Sequence, residues 1–442
     1  MPSAKPTMYK KLLLLWSVCA GTVFTVSGQE NSPYSRYGLG DLVPNQNVLS
    51  RGMGGISAGL SDLQSINFVN PASYANTVKT LFDVGIETDV RTLISTNPPD
   101  KFTSANLVVS YMQFAVPIKM KKANKKDIFL ATAFGLRPVS KINYRILRNS
   151  RISSIDSLET TFEGTGGLSQ AYTGVALRIK DFNIGMNLGY QFGNRDFNTR
   201  LSFINDTVNY YKSNHATETS FGGLFINTGI QYQIKLKNKN ILRLGAYYTA
   251  QTSMRANQRI VRETEVFDAN GEAFRIDSVF ESRTKGTIVY PSSLGVGFTY
   301  QADHWLFGAD WERTTWSDYR YFGTPDQLQN TWRLRAGTEF FPAKVNTPIQ
   351  KYFSFVRYRL GFFYGPDYIN VNSNRPEYGI SLGAGFPLKL RRNYYETQSS
   401  MLNAAIEIGS RGNRQNNLRE NLVRISIGAA LSDIWFRRAK YD

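Results

Sequence analysis

Three neighbouring stretches in the C-terminal half carry charges two residues apart. Asp310 and Glu312 form the first set, Arg333, Arg335 and Glu339 the second, and Arg357 and Arg359 the third. In an extended strand, residues two apart share a face. A carboxylate pair could do acid–base work, and a row of arginines could grip a ligand carboxylate by paired hydrogen bonds. Hydrolysis also needs a nucleophile and an oriented base. The chain has two histidines, His215 and His304, far apart, and one cysteine, Cys19. No relay can be assembled from these, so the expectation is no enzyme, no catalytic residue, no cofactor and no metal. Asp268, Asn270 and Glu272 lack the further ligands of a calcium loop, and Asn270-Gly271 reads as a turn. A structural network is favoured over ligand binding for the charged sets, because buried charges normally pair among themselves. Adjacent strands would then set Asp310 and Glu312 against Arg333 and Arg335.

The elements that must carry these residues are strands. In Asp181–Tyr190, Phe182, Ile184, Met186, Leu188 and Tyr190 share one face, while Asn183, Gly185, Asn187 and Gly189 share the other. The stretches around Leu402–Gly409 and Val423–Ala429 alternate in the same way. Counting such segments gives roughly fourteen, an even number of the size expected of a membrane barrel. Aromatic residues make up 13% of the chain and glycines number 36, which favours strands and turns over helices. Mean hydropathy is −0.32, too low for a bundle of membrane helices, whereas a barrel needs only alternate residues to face lipid. Charges are costly towards lipid, so the charged faces should line the lumen.

Connections alternate in length. Short ones fall near Lys121–Lys126, Lys180-Asp181, Lys237–Asn240 and Ala302–His304. Longer ones fall near Arg145–Gly164, Ile204–Ala216, Asn257–Arg283 and Tyr319–Asn330. Short periplasmic turns and long external loops produce that rhythm. The fold class expected is therefore all-β: a transmembrane antiparallel barrel with an N-terminal hatch in its lumen.

Residues 1–28 read as a signal peptide, with Lys10-Lys11 before an apolar run and Val26-Ser27-Gly28 as the cleavage site. A lipoprotein signal ending at Cys19 is the competing reading. Residues 29–80, rich in Gly, Asn and Ser, are either a periplasmic tail or a hatch in the lumen, and their apolar Met53, Ile56, Leu60, Leu63, Ile66 and Phe68 favour the hatch; residues 81–436 form the barrel; residues 437–442 are a short basic tail. The net charge of +18 is spread along strands and turns without a nucleic-acid motif, so no nucleic acid is expected. Outer-membrane lipid and lipopolysaccharide phosphates fit it better.

Two blocks carry a family resemblance. One runs from Arg51-Gly52-Met53-Gly54-Gly55 to Asn70-Pro71-Ala72. The other includes Pro291–Tyr300, His304-Trp305, Ala309-Asp310-Trp311-Glu312 and Arg333–Phe340. Together they resemble the hatch and second-half strands of the FadL-type long-chain fatty-acid transporter family. Phe68-Val69 stands where that family usually has Trp or Tyr, and the opening Ser32–Gly38 looks like the Bacteroidota branch, which includes PorV-like barrels. The resemblance implies a fourteen-stranded barrel, an outer-membrane location and passive uptake of a hydrophobic small molecule with sideways exit through a kinked strand. Gly135 and Pro138 are the candidates for that kink, since proline removes a ladder donor; a simple bulge near the rim is the competing reading. PorV-like relatives act instead as docking or shuttle subunits, which implies a protein partner in a secretion or assembly complex. Barrel assembly machinery is a partner during biogenesis on either reading.

Overall fold

A computed structural model describes residues 32–96, 99–118, 128–153, 156–204, 211–267, 273–343, 351–371, 375–388, 399–413, 416 and 418–433. The expected signal peptide with Cys19, the first hatch residues 29–31, the Asp268–Glu272 turn, Phe436 and the basic tail lie outside the described residues.

Eighteen strands form one sheet. They are β1 (Asp41–Leu42), β2 (Thr80–Thr96), β3 (Pro99–Ile118), β4 (Ile128–Arg151), β5 (Ser157–Ile179), β6 (Phe182–Phe203), β7 (Lys212–Lys235), β8 (Ile241–Thr249) and β9 (Thr252–Phe267). The second half continues with β10 (Ala273–Tyr290), β11 (Ser293–Ala302), β12 (Trp305–Thr314), β13 (Arg320–Tyr321), β14 (Thr331–Phe340), β15 (Arg357–Pro366), β16 (Pro376–Pro387), β17 (Ser399–Arg411) and β18 (Leu418–Asp433). β8 and β9 are two halves of one wall strand, both pairing with β7, and β10 and β11 are two halves of the next. The two-residue strands β1 and β13 are additions to the wall. That leaves a closed antiparallel barrel of fourteen strands, sealed where β18 pairs with β2.

Alternation decides which side chain faces which solvent. In β6, Ile184, Met186 and Leu188 are exposed on the outer surface, while Asn183, Asn187 and Gln191 are buried in the lumen. A lipid-facing apolar row and a lumen-facing amide row are what a bilayer demands of a strand.

The segment before β2 folds inside the barrel. One α-helical turn, Val48–Arg51, begins at Asn47, whose side chain accepts from the Ser50 N–H. A 3-10 turn, Pro71–Asn76, begins at Asn70, whose side chain accepts from the Ala72 N–H. Leu49, Met53, Ile56 and Leu60 form a buried cluster, and Val48, Phe68 and Val69 pack against wall residues Tyr111, Tyr172 and Phe225.

Two sequence expectations need correction. The long connections at Arg145–Gly164 and Asn257–Arg283 are not loops. β4 and β5 stay paired up to Arg151 and Ser157, and β9 and β10 up to Phe267 and Ala273. Strong charge masked the strand pattern there. Strand heights consequently differ: β4 has 24 residues and β12 has 10. At ~3.3 Å per residue, the tall side carries about 46 Å of additional strand.

Candidate functional site

The charged rows meet in the lumen, and the hatch stands between them. Glu312 pairs with Arg335 at 2.5 Å, diagonally across a register that sets Glu312 opposite Arg333 and Asp310 opposite Arg335. Asp310 does not join them. Its carboxylate accepts from the hatch N–H groups of Ser57 and Ala58, the latter at 2.8 Å. Arg333 reaches past its neighbour to Glu377 on β16. Arg357 donates to hatch residue Asp62 at 2.6 Å and lies 3.5 Å from Glu339. Arg359 pairs with Glu339 at 2.7 Å and donates to Asn403 at 2.8 Å. Each candidate arginine of the three rows therefore has a carboxylate partner.

A second set of charges was not singled out from the sequence. Arg51 of the hatch is bonded to Glu87 on β2, both side chains being 1% exposed. Arg424 on β18 joins Asp89 on β2 to Glu407 on β17. Asp41 on β1 binds Arg91 at 2.7 Å and Arg411 at 3.1 Å. A signal was available: Glu87, Asp89 and Arg91 alternate along one strand face, as the three charged rows do.

Asp62 lies in the hatch, outside the spanning strands. Burial would raise its pKa, but the Arg357 guanidinium and the Gln64 N–H outweigh that and hold it below the ordinary 3.8. A depressed carboxylate stabilises the folded state above its ordinary value and loses that contribution as pH falls through the folded value. The hatch should therefore resist protease from neutral pH down to about pH 4 and loosen below it. Asp62→Asn should weaken protection at neutral pH and flatten the acid response; an unchanged digestion profile would contradict this assignment.

The hatch motif is built for close approach. Asn70 donates to the Ala58 carbonyl at 2.7 Å and to wall carbonyls of Ile230 and Ala246 at 3.2 and 3.3 Å. Pro71 and Ala72 lie against Gly185 of β6, where a side chain would strike the hatch backbone. Gly52 approaches Gly383, and Met53 passes over Gly337. Gly54 and Gly55 have φ of +69° and +87°, a region that suits glycine.

Gly135 lies under the Tyr172 ring. Pro138 sits where the ladder is irregular, with the β4–β5 register shifting between Pro138 and Ser140. β3 and β4 pair only from Met112–Leu136 to Ile118–Leu130. Above Leu136 the two strands separate. Part of the separation is filled by β1, which pairs with Ser140 and Lys141, and the Ser140 hydroxyl donates to the Leu39 carbonyl at 2.5 Å.

Two cavities flank this region. The inner one, ≈180 Å³, is lined by Arg137, Gln170, Gln191, Asn227, Glu312 and Arg335 among others. The outer one, ≈660 Å³, is a groove on the lipid face that includes Met112, Phe134, Leu136, Leu188 and Leu224. The inner cavity is mixed, with Leu42, Val139, Phe225 and Trp316 beside the charges, and the outer one is almost wholly apolar.

Comparison with known proteins follows from this geometry. A family model described as BamG matches residues 8–442. No curated protein matches the sequence. Among solved structures, a Pseudomonas aeruginosa FadL homologue is 14% identical, covering 89% of this chain and 98% of its own, with a TM-score of 0.54. The Pseudomonas putida toluene transporter TodX is 14% identical over 89% of this chain and 99% of its own, at 0.53. The Ralstonia pickettii toluene transporter TbuX is 13% identical over 88% and 99%, at 0.53. The chain thus has the FadL-type barrel fold.

Proposed function

Because the chain belongs to the BamG family, we propose that it is an outer-membrane barrel that serves as a non-transporting docking subunit of the barrel assembly machinery. The observation that carries this reading is the lumen. Hatch and wall are joined by ion pairs, from the buried Arg51–Glu87 to the half-buried Arg357–Asp62, and the inner cavity sets charges and amides such as Arg137, Gln191 and Glu312 beside apolar Val139, Phe225 and Trp316. A hydrophobic cargo would have to displace paired, desolvated charges to pass, which is costly. An interior spent on holding the hatch leaves the outer surface and the tall strands for partners.

The test is depletion of the chain in its own cells, followed by measurement of folded outer-membrane barrels through their heat-modifiable migration. The expected result is a general fall in folded barrels. Unchanged barrels would overturn the reading.

Uptake of a hydrophobic compound with sideways exit is the second reading. It is favoured by the separation of β3 and β4 at Pro138 and by the apolar groove outside it. On that reading, depletion lowers uptake of a small apolar compound while barrel levels hold.

A further inference from the structure

Above the short strands the wall is no longer closed. On one side β12, β14 and β15 end at Thr314, Thr331 and Pro366. On the other, β4, β5, β6, β7, β9 and β10 continue as an open six-stranded sheet. Barrels of this kind turn their long connections outward, so this sheet stands outside the cell.

One margin of the sheet is β10. It pairs with β9 along its length. Its other side meets β13, at Ile288–Tyr321 and Val289–Arg320, and the Phe322 N–H donates to the Thr287 carbonyl at 3.0 Å. Beyond Thr287, no described strand pairs with that side. In an antiparallel strand the N–H and C=O of a residue point the same way, and the direction alternates. Since Thr287 points to the open side, Lys285 and Arg283 do too. The result is a strand edge with unpaired backbone groups.

This margin is guarded at its top by two register shifts, between Arg275 and Asp277 and between Ser278 and Phe280, but from Phe280 to Thr287 its ladder is regular. Natural edges are kept short, bulged, charged or covered. The bulged part of β10 still exposes Ile276, Val279 and Phe280, at 51%, 75% and 45%. Such apolar residues, well above the bilayer, are not covered by lipid. Lys285 is exposed and has no acidic partner among the described residues. Strand addition already occurs at both margins in miniature: β13 sits on β10, and β1 sits on β4 at Ser140 and Lys141.

We infer that the open edge of β10 between Phe280 and Thr287 accepts an extended segment of a partner protein as an added strand, continuing the line that β13 begins. Backbone pairing supplies the affinity. Apolar side chains of the partner cover Val279 and Phe280, and an acidic residue lies opposite Lys285. This inference rests on the docking reading and names the surface used.

The test places the photo-crosslinking residue p-benzoylphenylalanine at Val279 in the full chain, in its native cells. The result expected is one adduct of discrete mass. The double variant Arg283→Pro and Lys285→Pro removes two edge N–H groups that make no bond within the wall, so the barrel should fold and remain heat-modifiable. The adduct should fall roughly tenfold or more, the scale of two lost backbone hydrogen bonds. The control, Arg283→Ala with Lys285→Ala, keeps the backbone donors and should retain most of the adduct. Absence of any adduct, or an adduct that survives the prolines, overturns strand addition. If barrel assembly still depends on the chain in that case, the docking reading stands and the β10 edge alone is wrong. Should the double proline prevent folding, Lys285→Pro alone replaces it, with Lys285→Ala as its control and the same outcomes.

Discussion

Replacing Arg51 by methionine should cost about 3–5 kcal/mol, because it leaves Glu87 buried without its counter-charge. The Arg51 side chain makes four hydrogen bonds, to hatch and wall. Its guanidinium bonds Glu87, donates to Ser426 at 3.2 Å, and donates to the carbonyls of Gln46 and Pro44 at 3.0 and 3.1 Å. It thus joins the hatch to β2 and β18, the two strands that close the barrel. Urea unfolding in detergent should show the loss, and trypsin should cut the hatch before the barrel opens. The double variant Arg51→Met with Glu87→Leu should recover much of the stability, since it removes the unpaired charge. A single variant as stable as the parent would show that the pair does not anchor the hatch.

Gly54→Val should have the next largest effect, about 2–5 kcal/mol, from left-handed strain and overpacking together. At φ +69° an added Cβ would lie 2.6 Å from the Phe362 carbonyl and 2.7 Å from that of Ala336. Both obstacles are backbone in the wall, so neither can rotate away. The hatch must lift, while the strands keep their own ladder. The expected phenotype is a heat-modifiable barrel whose hatch is open to protease. Gly323→Ala is the matched control. Its φ is +78° but nothing lies within 4 Å of the added atom. It should show only the conformational cost, about 1–2 kcal/mol, and a closed hatch. Equal effects at both sites would mean that wall contact is not what selects glycine at residue 54.

Much of the architecture was legible because bilayer and lumen impose opposite demands on alternate residues. Phe182 to Tyr190 could be read directly, and so could the glycine-rich start and Asn70-Pro71-Ala72 end of the hatch. The tall strands were not legible. Outside the bilayer no lipid enforces alternation, and the arginines and glutamates of Arg145–Gly164 resemble a solvated loop. Cross-strand ions such as Arg145–Glu163, at 3.2 Å, accompany that pairing.

The charged site was legible in kind but not in wiring. Spacing placed Asp310 and Glu312 on one face. It could not show that Asp310 serves the hatch backbone while Glu312 serves Arg335, because that choice depends on where Ser57 and Ala58 dock. Arg51 was read as part of a glycine-rich motif; the alternation of Glu87, Asp89 and Arg91 marks a charged strand face but not which of them Arg51 meets. Pro138 marked an irregular ladder from the sequence alone. That β1 would reach across and pair at Ser140 required the three-dimensional path of the hatch.

The most direct test of the account is native mass spectrometry of the chain extracted from its own membrane in a mild detergent. The account predicts a complex of fixed stoichiometry containing the barrel-forming subunit of the assembly machinery, with the lumen free of any stoichiometric apolar compound. A lone chain carrying one hydrophobic molecule per barrel would contradict it.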